Sequence, residues 1–303
     1  MRLHLLDGTY ELFRAHFSKR PPRTAPDGRD VKATVGVVSS LLRLLADEDE
    51  GVTHLAVAFD NPIESWRNER FPAYKDSSGV DPALLAQFDD VERAVAALGV
   101  VVWSMDRHEA DDAMATAAVR WGGDGADGVE QTGGGLVDQI RILTPDKDLG
   151  QVVRGERIVQ VDRLREKLYD EAGVVARLGV PPCSVPDYLA LVGDTADGIP
   201  GLPGFGAKGA AAILTRYGHL EAIPDLALDW DVQVRGATRL AATLAERRDD
   251  ALLYRELARL DLDVPLAERL DDLAWGGVPR DRFLAWCDEV GSDGLRDRPH
   301  RFA

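Results

Sequence analysis

Nine acidic residues stand at points in this sequence where an apolar run gives way to a turn or where a helix begins. Asp7 closes the run Leu3-His4-Leu5-Leu6, Asp60 closes residues 53–59, and Asp146 and Asp148 follow the run 140–143. Glu109, Asp111 and Asp112 open a helical stretch, while Asp194 and Asp197 are three apart and share a helix face. Singly, each is ordinary, because acids are common in loops and serve as caps and dipole partners in first turns. Together they point to one chemistry. Hard divalent cations take carboxylate oxygens, and two ions about 4 Å apart clamp the attacking and leaving oxygens of an in-line phosphoryl displacement. A dense set of carboxylates repels itself without cations. The pattern therefore predicts metal-assisted phosphodiester chemistry, with the ligands gathered beyond the carboxyl ends of parallel strands.

The elements that must position these acids can be read from hydrophobic periodicity. Residues 3–6, 53–59, 100–103, 140–143 and 157–161 read as short buried strands. Between them, residues 31–45, 82–98 and 110–121 carry apolar positions at helical spacing, and Gly99 stops the second of these. Strands alternating with helices predict an α/β fold with a mostly parallel sheet flanked by helices, PIN-like or Rossmann-like in plan. Past about residue 175 the pattern becomes helical, over 186–192, 207–217, 233–260 and 279–290. The chain is thus expected to divide into an α/β domain over 1–175 and a helical domain over 176–303. The Gly-rich stretch 122–135 reads as a flexible surface insertion without assigned function.

Bulk properties set limits. The chain has 303 residues, 45% of them apolar, which suffices for a core. It has no apolar run long enough to span a membrane, and its amino-terminal run is too short for a signal peptide. Cys183 and Cys287 lack metal-ligand spacing and read as reduced thiols of a cytoplasmic protein. A net charge of −16 argues against a nucleic-acid partner. Setting aside the nine acids above brings it to −7, leaving local basic patches such as Lys19-Arg20 with Arg23, Lys75, Lys147 and Lys208.

Taken in order, a series of blocks resembles the 5′-nuclease family, meaning flap endonucleases and the amino-terminal nuclease domain of bacterial DNA polymerase I. The blocks are Leu5-Leu6-Asp7-Gly8, Phe59-Asp60, Trp66-Arg67, Tyr74-Lys75, Glu109-Ala110-Asp111-Asp112 and Thr144-Pro145-Asp146-Lys147-Asp148-Leu149. They continue through Gly193-Asp194-Thr195-Ala196-Asp197-Gly198-Ile199-Pro200-Gly201 and Gly204-Phe205-Gly206-Ala207-Lys208. The resemblance implies magnesium or manganese as cofactor, two ions or more. Asp7, Asp60, Glu109 and Asp111 would hold the first ion. Asp111, Asp146, Asp148 and Asp194 would lie near the second, with Asp112 and Asp197 supporting through water. The nucleophile would be a water activated by the cations, and His108, beside the cluster, is read as a packing or surface residue.

The same resemblance implies a helical arch over residues 66–98, under which a single-stranded 5′ end passes. There Lys75 would stabilise charge on the scissile phosphate and Arg67 would stand at the arch base. Relatives typically carry an arginine three residues after this lysine; here the residue is Ser78, so either turnover is reduced or another arginine such as Arg70 substitutes. A second departure is Gly198, where asparagine or serine is usual. Residues 201–208 would form a helix-hairpin-helix element in which Gly204, Gly206 and Lys208 grip duplex DNA phosphates, with a potassium ion on hairpin carbonyls.

The expected activity is therefore a monomeric, free-standing 5′-nuclease that cuts 5′ flaps and degrades DNA 5′ ends, including RNA-primed ones. Ser78 supports a different reading, a catalytically weak DNA-junction binder. A PIN-type ribonuclease fits less well, because those domains are shorter and lack the 201–208 element.

Overall fold

The computed structural model describes residues 1–123 and 137–303, so the expected insertion lies outside them apart from Gly122 and Gly123. The chain begins with β1 (Arg2–Asp7), α1 (Gly8–His16), α2 (Lys32–Leu45), β2 (His54–Asp60) and α3 (Trp66–Arg70). It continues through α4 (Pro82–Leu85), α5 (Phe88–Ala97), β3 (Val101–Met105), α6 (Ala110–Gly122), β4 (Gln139–Leu143), β5 (Ile158–Asp162) and β6 (Lys167–Tyr169). The remaining helices are α7 (Glu171–Leu178), α8 (Val185–Val192), α9 (Ala207–Tyr217), α10 (Ala237–Glu246), α11 (Arg248–Ala258) and α12 (Arg280–Glu289). They sort into two compact units that do not follow chain order. Unit 1 is Met1–Ser65, Ser77–Thr144 and Leu262–Ala303; unit 2 is Trp66–Asp76 and Pro145–Asp261. The boundary expected near residue 175 lies inside unit 2.

In unit 1 four parallel strands lie in the order β3-β2-β1-β4, with Leu5 opposite Ala56 on one side and Ile142 on the other. Leu3, Leu5, Leu6, Leu55, Val57, Phe59, Ile140 and Ile142 are buried. Near-continuous apolar strands of this kind belong to parallel sheets covered on both faces. Helices α1, α5 and α6 pack against the strands. Residues 262–303, expected with the helical half, fold into unit 1 instead. There α12 packs on α5, and Trp275 donates its backbone N–H to Thr53 O and its indole N–H to Leu98 O, both at 3.0 Å.

Unit 2 is the helical half, with β5 and β6 paired antiparallel at one end. Its core is built from Val180, Leu189, Leu191, Ile213, Leu214, Leu244 and Leu257, against which Phe71 and Tyr74 also pack. Two stretches read as single helices are broken. Residues 82–98 divide into α4 and α5 around Gln87, whose buried amide oxygen accepts from Ala33 N, Thr34 N and Thr34 Oγ1. It thereby supplies the cap that Val31, the residue before α2, cannot. Residues 233–260 divide at Arg247, whose φ of −118° and ψ of 29° leave the helical region. Within the expected arch, α5 buries Val91, Ala94 and Val95 in the core, while Asp89 and Arg93 on its other face stay exposed.

Candidate metal centre

The nine carboxylates fall into two groups, one in each unit. In unit 1, Asp7 ends β1 and also caps α1, accepting from Tyr10 N at 2.7 Å and from Thr144 Oγ1 at 2.9 Å. Asp60 ends β2 and turns its carboxylate to the start of α6, where Ala110 N donates to Oδ1 at 2.6 Å. Its own N–H donates to Thr9 Oγ1 at 2.8 Å. Glu109 precedes α6 and accepts from Ser65 Oγ at 2.7 Å. Glu109 and Asp112 form a reciprocal capping box, with Glu109 N donating to Asp112 Oδ2 at 3.0 Å. Asp112, expected to support an ion through water, is fully buried and turned to the helix it belongs to. Asp111 is half-buried one residue earlier in the same turn. Strand ends and the positive end of a helix thus hold these acids in place, and the amides make a charged carboxylate tolerable there.

The unit 2 group is arranged otherwise. Oxygens of Asp148, Asp194 and Asp197 lie within 4.8 Å of one another, and all three residues are buried. Asp146, expected beside the second ion, caps the short turn Lys147–Val152, its Oδ1 accepting from Asp148 N at 3.0 Å. Two ammonium groups meet the cluster. Lys75 Nζ is 3.1 Å from Asp197 Oδ1, and Lys147 Nζ pairs with Asp194 and stands 4.0 Å from Asp148 Oδ1. Lys147, read from sequence as part of a basic patch, is therefore sunk among acids. Burial, followed by repulsion from Asp146 and Asp197, pushes the Asp148 carboxyl well above the usual carboxylate range. Burial opposes the charge on Lys147, but Asp148, Asp194 and Asp146 together hold its pKa above the ordinary lysine value. Asp148 Oδ1 is buried with no hydrogen-bond partner. A buried, repelling set of hard oxygens with one oxygen unsatisfied is a donor set that fits a divalent cation.

The backbone carrying Asp146 and Asp148 is fastened on three sides, by residues that the motif reading passed over. Gln160 donates to Asp146 O, and Arg177 donates to Pro145 O at 2.7 Å and to Gln160 Oε1 at 3.3 Å. Gln151 donates to Asp148 O at 2.9 Å and to Ala258 O at 3.1 Å, and accepts from Leu260 N at 3.0 Å. Arg67 lands on the same helix end. Its guanidinium is buried and donates to Leu257 O at 2.8 Å and Arg259 O at 3.0 Å. Leu257 O is a carbonyl that α11 leaves open at its end, and Arg259 O lies just beyond it, so the residue expected at the arch base closes a helix. Arg70, the candidate to replace the missing arginine at Ser78, is held by Glu256 in a paired contact at 3.1 Å to each carboxylate oxygen.

Lys75 is fixed through its backbone as well as its ammonium. Its N–H donates to Asp197 O at 2.9 Å, and Asn68 Nδ2 donates to Lys75 O at 2.9 Å. Gly198 makes room for this contact. Its φ is +75°, and a Cβ there would fall 2.5 Å from Ala73 O. In the 201–208 element, Gly206 precedes α9, Lys208 is exposed in its first turn, and Gly204 has a φ of +89°.

Residues 2–179 match the 5′-3′ exonuclease, N-terminal resolvase-like domain, and residues 180–281 match the 5′-3′ exonuclease, C-terminal SAM fold. The chain belongs to the 5′-3′ exonuclease family. It is 30% identical to the 5′-3′ exonuclease of Aquifex aeolicus, over 88% of this chain and 84% of that one. It is 35% identical to DNA polymerase I of Rhizobium leguminosarum over 89% of this chain, and 33% identical to that of Pseudomonas aeruginosa over 98%. It spans 26% and 33%, respectively, of the length of those two polymerases. In fold it is similar to the T5 5′-exonuclease with bound divalent metal ions (zinc), with a TM-score of 0.62 and 19% identity over 96% of this chain and 98% of that one. It is also similar to the catalytic core of Rad2 in complex with DNA substrate, with a TM-score of 0.59 and 14% identity over 96% and 87% of the two chains. The expectation of a mostly parallel α/β fold with a helical second half holds. No helix among the described residues is long and apolar enough to cross a membrane.

Proposed function

We propose that this member of the family is a divalent-metal-dependent 5′-nuclease that hydrolyses DNA phosphodiesters, cutting 5′ flaps and degrading 5′ ends. The observation that carries the reading is the buried cluster of Asp148, Asp194 and Asp197, with one oxygen unsatisfied and Lys75 locked beside it. Asp7, Asp60, Glu109 and Asp111 are proposed to hold one magnesium or manganese ion. Asp148, Asp194 and Asp197 would hold a second, and Asp146 would shape the turn between them and the strand. Bound there, such ions supply positive charge at the scissile phosphate and ease deprotonation of the attacking water. The chain's own residues provide the rest. Lys75 offers a fixed ammonium to a phosphate oxygen, and the amides around Gly204 and Gly206, with Lys208, offer sequence-independent phosphate contacts. A structure-specific choice of substrate follows from contacts of that kind. Potassium at the hairpin, RNA-primed 5′ ends as substrate, a monomeric state and a cytoplasmic location belong to the same proposal.

The competing reading is a junction binder with weak catalysis. It draws on Ser78 and on the engagement of Arg70 by Glu256, which leave the cationic side of the site thin. A labelled 5′-flap duplex incubated with magnesium or manganese, and with chelator, separates the two. Metal-dependent release of the flap is expected. Binding of the duplex without product at any metal concentration would replace the nuclease reading with the binder.

A further inference from the structure

The unit 2 carboxylates already have a cation of the chain's own making. Lys147 lies between two acids in sequence, on a loop whose backbone Gln160, Gln151 and Arg177 hold at Asp146 O, Asp148 O and Pro145 O. From that anchored position its ammonium pairs with Asp194 and stands 4.0 Å from Asp148 Oδ1. Asp148 has a side chain 6% exposed, and this same oxygen has no hydrogen-bond donor. Three buried carboxylates within 4.8 Å need nearby positive charge to stay assembled.

We propose that Lys147 is a tethered counter-ion of this cradle, which a divalent cation must displace in order to bind Asp148 and Asp194. The inference rests on the metal-dependent reading above. Ammonium and cation want the same oxygens, since Asp194 Oδ2 is the atom that Lys147 takes. A ligand that binds only the lysine-out arrangement has its apparent affinity lowered by the fraction of molecules in that arrangement. Lys147 therefore keeps the cradle in shape without metal and weakens the cation's hold on it. Lys75 plays a different part. It pairs with Asp197, and its backbone is bonded to Asp197 O, so it stays when a cation arrives.

The test compares wild type, Lys147→Met and Lys147→Arg, stripped with chelator and titrated with manganese. Ion number and affinity come from calorimetry, and stability comes from thermal unfolding. Without metal, Lys147→Met should unfold about 3 °C or more below wild type, whereas Lys147→Arg, which keeps the charge, should unfold near it. Lys147→Met should bind the second ion about tenfold more tightly and lose its stability deficit at saturating manganese. Wild-type affinity for both ions in Lys147→Met, or a deficit that persists at saturation, overturns the inference. The double variant Asp194→Asn/Lys147→Met removes one charge of each sign and stays testable if Lys147→Met does not fold. In the Asp194→Asn background the effect of Lys147→Met should shrink, and an undiminished effect also overturns it. Asp148→Asn serves as the separate check. It should remove one ion from the count, and an unchanged count sinks the metal-dependent reading itself, whatever Lys147 does.

Discussion

The two carboxylate groups solve the same electrostatic problem with different means. In unit 1, Asp7, Asp60, Glu109 and Asp112 are neutralised by dipoles, namely backbone N–H groups at helix starts and the hydroxyls of Ser65 and Thr144. In unit 2, Asp194 and Asp197 are neutralised by whole charges on Lys147 and Lys75, while Asp148 keeps an unsatisfied oxygen. Dipoles built into strand ends and helix starts cannot be withdrawn without unfolding, whereas a lysine can swing away. The first group is therefore part of the fold's own hydrogen bonding, and the second is a poised site under mutual repulsion. Substitutions of the same chemical kind should then give opposite effects on stability in the two groups.

The largest expected effect is on cleavage. Asp148→Asn should lower flap cleavage on the order of 10³-fold, the scale of removing a preorganised electrostatic group, while metal-free stability stays level or rises. Flap cleavage kinetics and urea unfolding on the same preparation check both halves. A fall in stability would break the comparison. Arg67→Met comes next. Losing a buried guanidinium bonded to Leu257 O and Arg259 O should cost about 3 kcal/mol of stability. Urea titration measures it, and a kinetic loss at unchanged stability would mean that Arg67 acts on substrate instead. In unit 1, Asp112→Ala removes the acceptor of Glu109 N and should cost about 1–2 kcal/mol, leaving the half-saturating magnesium concentration unchanged. A marked rise in that concentration would put Asp112 back among the ligands.

The smallest expected effect lies outside both groups and sets the scale for an ordinary ion pair. Arg255 beside Glu221 holds its carboxyl down to about 2. A carboxyl lowered in the folded state adds stability that is present above its unfolded value and is lost as pH falls toward the folded one. That window runs from about pH 4.5 to about pH 2. Because Glu221 is 60% exposed, the contribution should stay under about 1 kcal/mol. Glu221→Gln should flatten the acid limb of stability against pH in that window and lower neutral-pH stability by the same amount, under about 1 kcal/mol, bringing the two proteins together at about pH 2.

Much of this was legible in the sequence because strand ends and helix starts are local. Asp7 and Asp60 stand where apolar runs stop, and the strands and helices around them lie within a few residues of their periodic patterns. Lys75 was placed by its motif, and the structure sets its ammonium against Asp197. What could not be read depends on partners far along the chain. Nothing around Arg67 announces that its guanidinium will close α11, nor does Lys147 show that it turns into the acids instead of toward solvent. Gln87 reads as a polar residue inside a helix, yet it breaks that helix to cap another one 54 residues earlier. Gly198 looked like a minor departure from relatives. Its meaning appeared only with Ala73 O in the space that a side chain would need.

The helix end held by Arg67 has a consequence for how the protein is made. Its carbonyl partners are 190 and 192 residues downstream. At about 5–20 residues per second, synthesis takes roughly 10–40 s to cover that interval. For that time a segment destined for burial has nothing to close. Ribosome-bound chains halted shortly before Leu257 should therefore expose residues 66–76 to protease, and chains released beyond Arg259 should protect them.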